Sequence, residues 1–293
     1  MKKHQFDHLK LEIKPRHMDF PFGCLQSLKF FDDNIYKSAF IAGMSTSFPD
    51  GETEFLNSVR NYRNRIHDPD LKRQVKGFIG QEGHHSHQHG KINKELDRLG
   101  YDTASIEKSL KKLIKKRVSK YSDKFRLAHT VSIEHITGIM AEHALAHPEL
   151  FDGMEAPFKD LMMWHAVEEL EHKAVAFDVY QMCVGDQPYL HRVMKLAIAL
   201  LSLRLGRFML ILAFKTGKWK SWREWREFSR WMFGANGLWR SLRQPYKAFF
   251  KPDFHPWNSG GLALIEKWET QLYRPCQDKH HPEYGREQQQ RIA

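Results

Sequence analysis

The feature that most constrains the fold is a Glu-x-x-His spacing that occurs twice, each time on a helical stripe. The stretch Gln81-Glu82-Gly83-His84-His85-Ser86-His87-Gln88-His89 sits inside a helical pattern from about Leu71 to Leu99. Steps of three or four residues there pick out Val75, Phe78, Glu82, His85, His89, Ile92, Leu96 and Leu99. One face of that helix is apolar at both ends and Glu-His-His in the middle, so it points inward. The second copy, Glu169-Leu170-Glu171-His172, lies on a stripe of Met162, His165, Glu169, His172 and Ala176. A carboxylate and an imidazole one turn apart can bind the same metal ion, and di-iron and di-manganese four-helix bundles use this spacing. A single copy would read as a solvated helix face. Two copies on apolar stripes predict a metal, because charged groups are not retained in a core without a partner or an ion. The expected fold is all-α, a ferritin-like four-helix bundle with additional C-terminal helices.

Such a site also needs one Glu from each of two further helices. Pro49 is expected to close an irregular lead-in over residues 1–48 and to precede a helix with Asp50 as N-cap. On that helix Glu52, Phe55, Val59, Tyr62 and Ile66 share the apolar stripe and Glu54 does not, which makes Glu52 the inward candidate. A third core helix from about Lys124 to His147 aligns Leu127, Val131, Glu134, Gly138, Ala141 and Leu145. Glu134 is therefore inward, and Glu142, about 80° round by the 3.6-residue period, is an alternate at the margin.

The fourth helix is expected to run from near Pro157 to Cys183, with Glu171 pointing to solvent and Glu168 an alternate ligand. His89 and His165 extend the two copies by one turn, as hydrogen-bond partners or further ligands. His84 and His87 fall off the stripe and are expected at the surface. Residues 107–120, EKSLKKLIKKRVSK, form a basic, exposed helix or linker.

The predicted ligands are thus Glu52, Glu82, His85, Glu134, Glu169 and His172: four carboxylates and two imidazoles on four helices. Hard oxygen donors with one imidazole per metal suit two iron ions, with manganese, a mixed Mn/Fe pair or zinc as alternatives. Cys24, Cys183 and Cys276 fall on no ligand stripe, and their odd number and wide spacing fit a reducing compartment. No residue is singled out as catalytic beyond the metal ligands.

These residues resemble a known family, the bacterial predicted metal-dependent hydrolases. The resemblance runs through His17-Met18-Asp19, Phe48-Pro49-Asp50-Gly51-Glu52, Gln81-Glu82-x-x-His85-x-x-x-His89, Glu168-Glu169-Leu170-Glu171-His172-Lys173-Ala174-Val175-Ala176-Phe177-Asp178 and Lys251-Pro252-Asp253-Phe254-His255-Pro256-Trp257. It implies a metal-dependent enzyme whose family label is hydrolase. The ligand set is also the one used for oxygen chemistry at di-iron centres.

The net charge of +11 is concentrated, since Leu190 to Trp257 holds fourteen Lys or Arg against three acidic residues. Within that third, residues 193–214 are apolar enough to raise a membrane span. Lys195, Arg204 and Arg207 argue against one, because a cation at the bilayer centre costs about 2.5–3.5 kcal/mol. Residues 218–233 alternate Trp219, Trp222, Trp225 and Trp231 with basic side chains, which suits a membrane interface. Residues 193–233 are therefore expected to meet an anionic membrane surface; a homodimer contact ranks second and nucleic acid well below.

Residues 49–185 are expected to form the metal-binding bundle and 186–293 a basic, Trp-rich helical region packed on it. The first residues contain no apolar run of a secretory signal, so the expected location is cytoplasmic, peripheral on the inner membrane face. The leading function is oxidation of an apolar or acyl substrate with O2. The alternatives are hydrolysis of an ester or amide, and a non-enzymatic iron-binding or membrane-associated protein.

Overall fold

The computed structural model describes residues 11–235 and 237–272. Cys276 and the first ten residues lie outside them. The fold is all-α, as expected, and a lone β-bridge between Phe31 and Met154 is its one extended pairing among the described residues. The first long helix, α1, spans Ile35–Arg60, so it begins fourteen residues before Pro49 and carries that proline in its interior. This corrects the expected start at Asp50. A proline inside a helix costs about 3 kcal/mol, but the segment ahead of it buries Ile35, Ala39, Phe40, Ile41, Ala42 and Met44. Tertiary burial outweighs the local breaker. The true N-cap is Asn34, whose Oδ1 accepts from Tyr36 N and Lys37 N.

Helix α2 (Pro69–Leu99) is capped by Asp68 and ends at Gly100, whose φ of 109° is the left-handed C-terminal geometry that glycine permits. A basic helix α3 (Thr103–Lys120) buries little beyond Ile106 and Leu110. Then come α4 (Asp123–Ala146), α5 (Ala156–His172) and α6 (Val175–Cys183). The single helix expected over 157–183 is broken at Lys173-Ala174, where Lys173 Nζ is drawn to Glu142, Ser259 and the carbonyl of Gly260.

Helix α1 packs on α2 and α4, and α5 packs on α4 and α2, leaving one shared interior between the four. The lead-in lies along α2 because two glycines admit it: a Cβ at Gly77 would strike Ile13, and one at Gly80 would strike Pro15. That close approach delivers Arg16 to the carboxylates of α5.

Helix α7 (Gln187–Lys215) covers α1 and α4. Among the described residues it alone is long and apolar enough to cross a membrane, and a third of its most apolar stretch is buried. Helices α8 (Trp222–Phe233), α9 (Leu238–Ser241), α10 (Arg243–Ala248) and α11 (Leu262–Leu272) complete the described chain. Glu224 of α8 accepts from Ile35 N at 2.7 Å, which ties α8 to the start of α1. The tryptophans of the 218–233 stretch do not share one role. Trp225 packs on Tyr36 and Phe228, and Trp231 on Phe31 and Phe40, while Trp222 is 72% exposed.

Candidate metal centre

All six predicted ligands converge in the interior between α1, α2, α4 and α5, and none is more than 5% exposed. Three sets of donors bring one atom per residue within 4.8 Å of one another: Glu52, His85 and His165; Glu82, His85 and Glu169; and Glu82, Glu134 and His172. Together they name the six residues and add His165. His172 Nε2 lies 3.1 Å from Glu82, 3.6 Å from Glu134 and 3.6 Å from Glu169. His165 Nε2 lies 3.0 Å from Glu169 and 3.6 Å from Glu52, and His85 Nδ1 is 3.9 Å from Glu82.

Close as they are, many of these atoms make no hydrogen bond. Both oxygens of Glu82 and of Glu134, Glu52 Oε1, Glu169 Oε2, His85 Nδ1 and His172 Nε2 are buried without a partner. Stranding so many polar atoms is costly, at about 1–3 kcal/mol each, unless a cation sits among them. The same demand appears in their proton affinities. Burial, reinforced by the neighbouring carboxylates, holds Glu52 and Glu134 well above the usual carboxylate range. Burial also raises Glu82, against the pull of His172. Burial acts on Glu169 and His172 too, but their neighbours prevail: His165 and then His172 lower the carboxyl of Glu169, and Glu169 and then Glu82 raise the imidazole of His172. The oxygen-rich donor set of the cluster fits metal ions.

Each imidazole is turned by a partner behind it, which is how a ligand's tautomer is set. His172 Nδ1–H donates to Gln81 Oε1 at 2.9 Å, leaving Nε2 for the cluster. Gln81 in turn donates to Glu171 and to the carbonyl of Lys14. His85 can face the cluster with a bare Nδ1 only if its Nε2–H donates outward, and Glu168 Oε2, 3.1 Å away, is the acceptor. Burial pushes Glu168 up to about 8, and Arg16, 3.3 Å away, opposes that rise.

The third imidazole is oriented by a longer chain. Asn93 Nδ2 donates to Glu107, which points its Oδ1 at Ser45 to accept from Ser45 Oγ at 2.9 Å. Ser45 Oγ then accepts from His89 Nδ1–H at 2.9 Å, and His89 Nε2 accepts from His165 Nδ1–H at 2.7 Å. His165 is left with Nε2 facing Glu169 and Glu52. Burial, followed by the histidines around them, holds His85 and His89 well below the usual imidazole range. Aromatic rings close the surroundings: Phe48 lies on His89 and His165, Trp164 on His85 and Phe78 on His172.

The alternates from the sequence separate accordingly. His165 joins the donor cluster; His89 and Glu168 stand behind imidazoles. Glu142 belongs elsewhere, 3.3 Å from Lys173 Nζ and accepting from Ser259 Oγ at 2.8 Å. Glu171, expected in solvent, is buried, paired with Arg16 at 2.7 Å and bonded to Gln81. Glu54, off the stripe, is also buried, held by Arg126 through bonds of 2.7 and 3.0 Å. Periodicity passed over Arg16, Gln81, Ser45 and Asn93, since none is a metal ligand and each acts across helices. An acidic residue such as Glu171 beside an otherwise apolar stripe was the signal that a cation had to come from elsewhere in the chain.

No curated protein and no solved structure matches this chain. The family described as predicted metal-dependent hydrolase matches residues 14–260. The buried Glu and His donors could hold a metal ion, as that description requires. With the match covering most of its length, the chain belongs to the predicted metal-dependent hydrolase family.

Proposed function

We propose that the protein is a ferritin-like dinuclear metalloenzyme that oxidises an apolar or acyl substrate with dioxygen. The observation that carries this reading is the donor cluster itself: Glu-x-x-His from α2 and from α5, with one Glu each from α1 and α4. Glu82, Glu134 and His172 would hold one ion; Glu52, His85, His165 and Glu169 would hold the other, with Glu82 and Glu169 near enough to both groups to be shared. Iron(II) at these positions would supply two electrons to dioxygen, and an external reductant would restore them.

The chain's own residues contribute orientation and dryness. Gln81, Glu168 and His89 hold the outward N–H groups of His172, His85 and His165, keeping the opposite nitrogens on the cluster. Phe48, Phe78 and Trp164 pack against His165, His172 and His85 and give the cluster an apolar surround. Hydrolysis of an ester or amide is the second reading, favoured by the family description; there the ions would lower the pKa of a bound water.

Elemental analysis of protein purified without added metal, together with oxygen uptake, tests both. Two irons per chain with substrate-dependent oxygen uptake supports oxidation. Two zincs with ester turnover in the absence of oxygen selects hydrolysis. Iron with neither activity points to an iron-binding protein, and no bound metal refutes the centre.

A further inference from the structure

A cavity of about 630 Å3 lies between α1, α4, α7, α8, α9 and α10. That volume falls within the range of small-molecule sites, about 300–1,000 Å3. Side chains such as Ile136, Leu205, Met209, Phe228 and Met232 make its wall apolar. Phe233 and Trp239 on its wall are 59% and 47% exposed, so it opens to solvent and a ligand can enter it. Polar ligands would lose their hydrogen bonds there.

Phe40, Met140 and Leu238 also line a second cavity of about 60 Å3, whose other walls include His165 and Glu169. An apolar group lodged in the first cavity is therefore separated by one shared wall from a space that ends at the metal cluster. Arg243 and Lys247, one turn apart on α10, also line the first cavity and are exposed. Neither forms an ion pair among the described residues.

We propose that this cavity binds the unbranched chain of an acyl amphiphile with an anionic head. Arg243 and Lys247 hold the head, and the chain runs toward the second cavity. As a substrate assignment this rests on the metal-centre reading above; as a binding site it does not.

The test titrates palmitate, hexadecanol and a lysophospholipid of the same chain length into the full chain, below their micelle concentrations, with metal loaded and after chelation. Displacement of a fluorescent fatty-acid analogue is the readout. Palmitate is expected to bind both forms, and charge reversal in R243E/K247E is expected to weaken it by about tenfold or more while sparing hexadecanol. A lysophospholipid that binds more tightly than palmitate supports the site and identifies a lipid headgroup as its source.

Gly206 supplies the blocking variant. It lines the cavity, and an added Cβ there meets no atom within 4 Å. Gly206→Phe is expected to keep the wild-type melting temperature and lose palmitate binding. With cobalt(II) in the centre, palmitate should shift the visible absorption of the wild type and not of G206F. Absence of palmitate binding to the chelated wild type, or undiminished binding by folded G206F, overturns the site. Equal affinity for palmitate and hexadecanol overturns the head assignment. Palmitate binding without any cobalt uptake supports the cavity and overturns the metal-centre reading alone.

Discussion

His89 Nε2 lies 2.7 Å from His165 Nδ1, so the last histidine of the α2 stripe is the acceptor that turns His165 toward Glu52 and Glu169. Partners of this kind are worth about 10–100-fold in metal affinity. His89→Ala should lower affinity by that factor, measured by metal titration, and His165→Ala should cost more by removing a donor. Wild-type affinity in His89→Ala would place the orienting role elsewhere.

Glu134 has no hydrogen-bond partner for either oxygen, whereas Glu142 is committed to Lys173 and Ser259. Glu134→Ala should therefore fold and lose metal, because it removes a stranded carboxylate. Manganese at a hundred times its Kd should stabilise the wild type by about 2.7 kcal/mol per site. The gain should shrink in Glu134→Ala and persist in Glu142→Ala. The opposite pattern in thermal melts would exchange their roles.

Arg16 reaches Glu168 and Glu171 because Gly80 lets the lead-in lie against α2. Gly80→Ala forces Pro15 outward and should destabilise by about 1–3 kcal/mol. Arg16→Ala leaves buried carboxylates unpaired, a loss on the order of 3 kcal/mol. The two losses should be less than additive in a double-mutant cycle by denaturant unfolding. Full additivity would mean that Gly80 does not act through Arg16.

Burial, with Arg117 and Arg204 nearby, holds His129 well below the usual imidazole range. Above the unfolded value of about 6.5 both states are neutral there, so His129 adds no pH dependence. Below it the unfolded chain takes a proton that the folded chain refuses, and stability falls as pH falls. His129→Gln, which stays neutral and can still accept from Arg117, should lose up to about 1.4 kcal/mol less per pH unit between pH 6 and 5. Parallel curves for the two proteins would refute the assignment.

Membrane docking by residues 193–233 is our proposal for the outer surface. Leu203 and Trp222 are each 72% exposed, while Trp225 is packed inward and unsuited to the role. Binding to anionic vesicles should weaken with salt, which screens charge over about 8 Å at physiological ionic strength. Leu203→Gln with Trp222→Gln should weaken binding even at high salt. If the wild type stays in solution with such vesicles at low salt, docking is refuted.

The inward faces were legible in the sequence. Glu52, Glu82, His85, Glu134, Glu169 and His172 emerge from helical periodicity alone, since the 3.6-residue repeat is a local property and charge inside an apolar stripe stands out. The all-α class and the approximate bounds of α2 and α4 were equally local: helices expected from about Leu71 to Leu99 and from about Lys124 to His147 are found at Pro69–Leu99 and Asp123–Ala146. Only the tertiary structure decided that α1 runs through Pro49, because burial ahead of the proline is a sum over contacts with distant helices. It also decided that Glu171 is buried, since its partner Arg16 is 155 residues away. The orientation of His165 needed Ser45 from α1 and His89 from α2 to meet α5, and no repeat along one helix encodes a hydrogen bond between three.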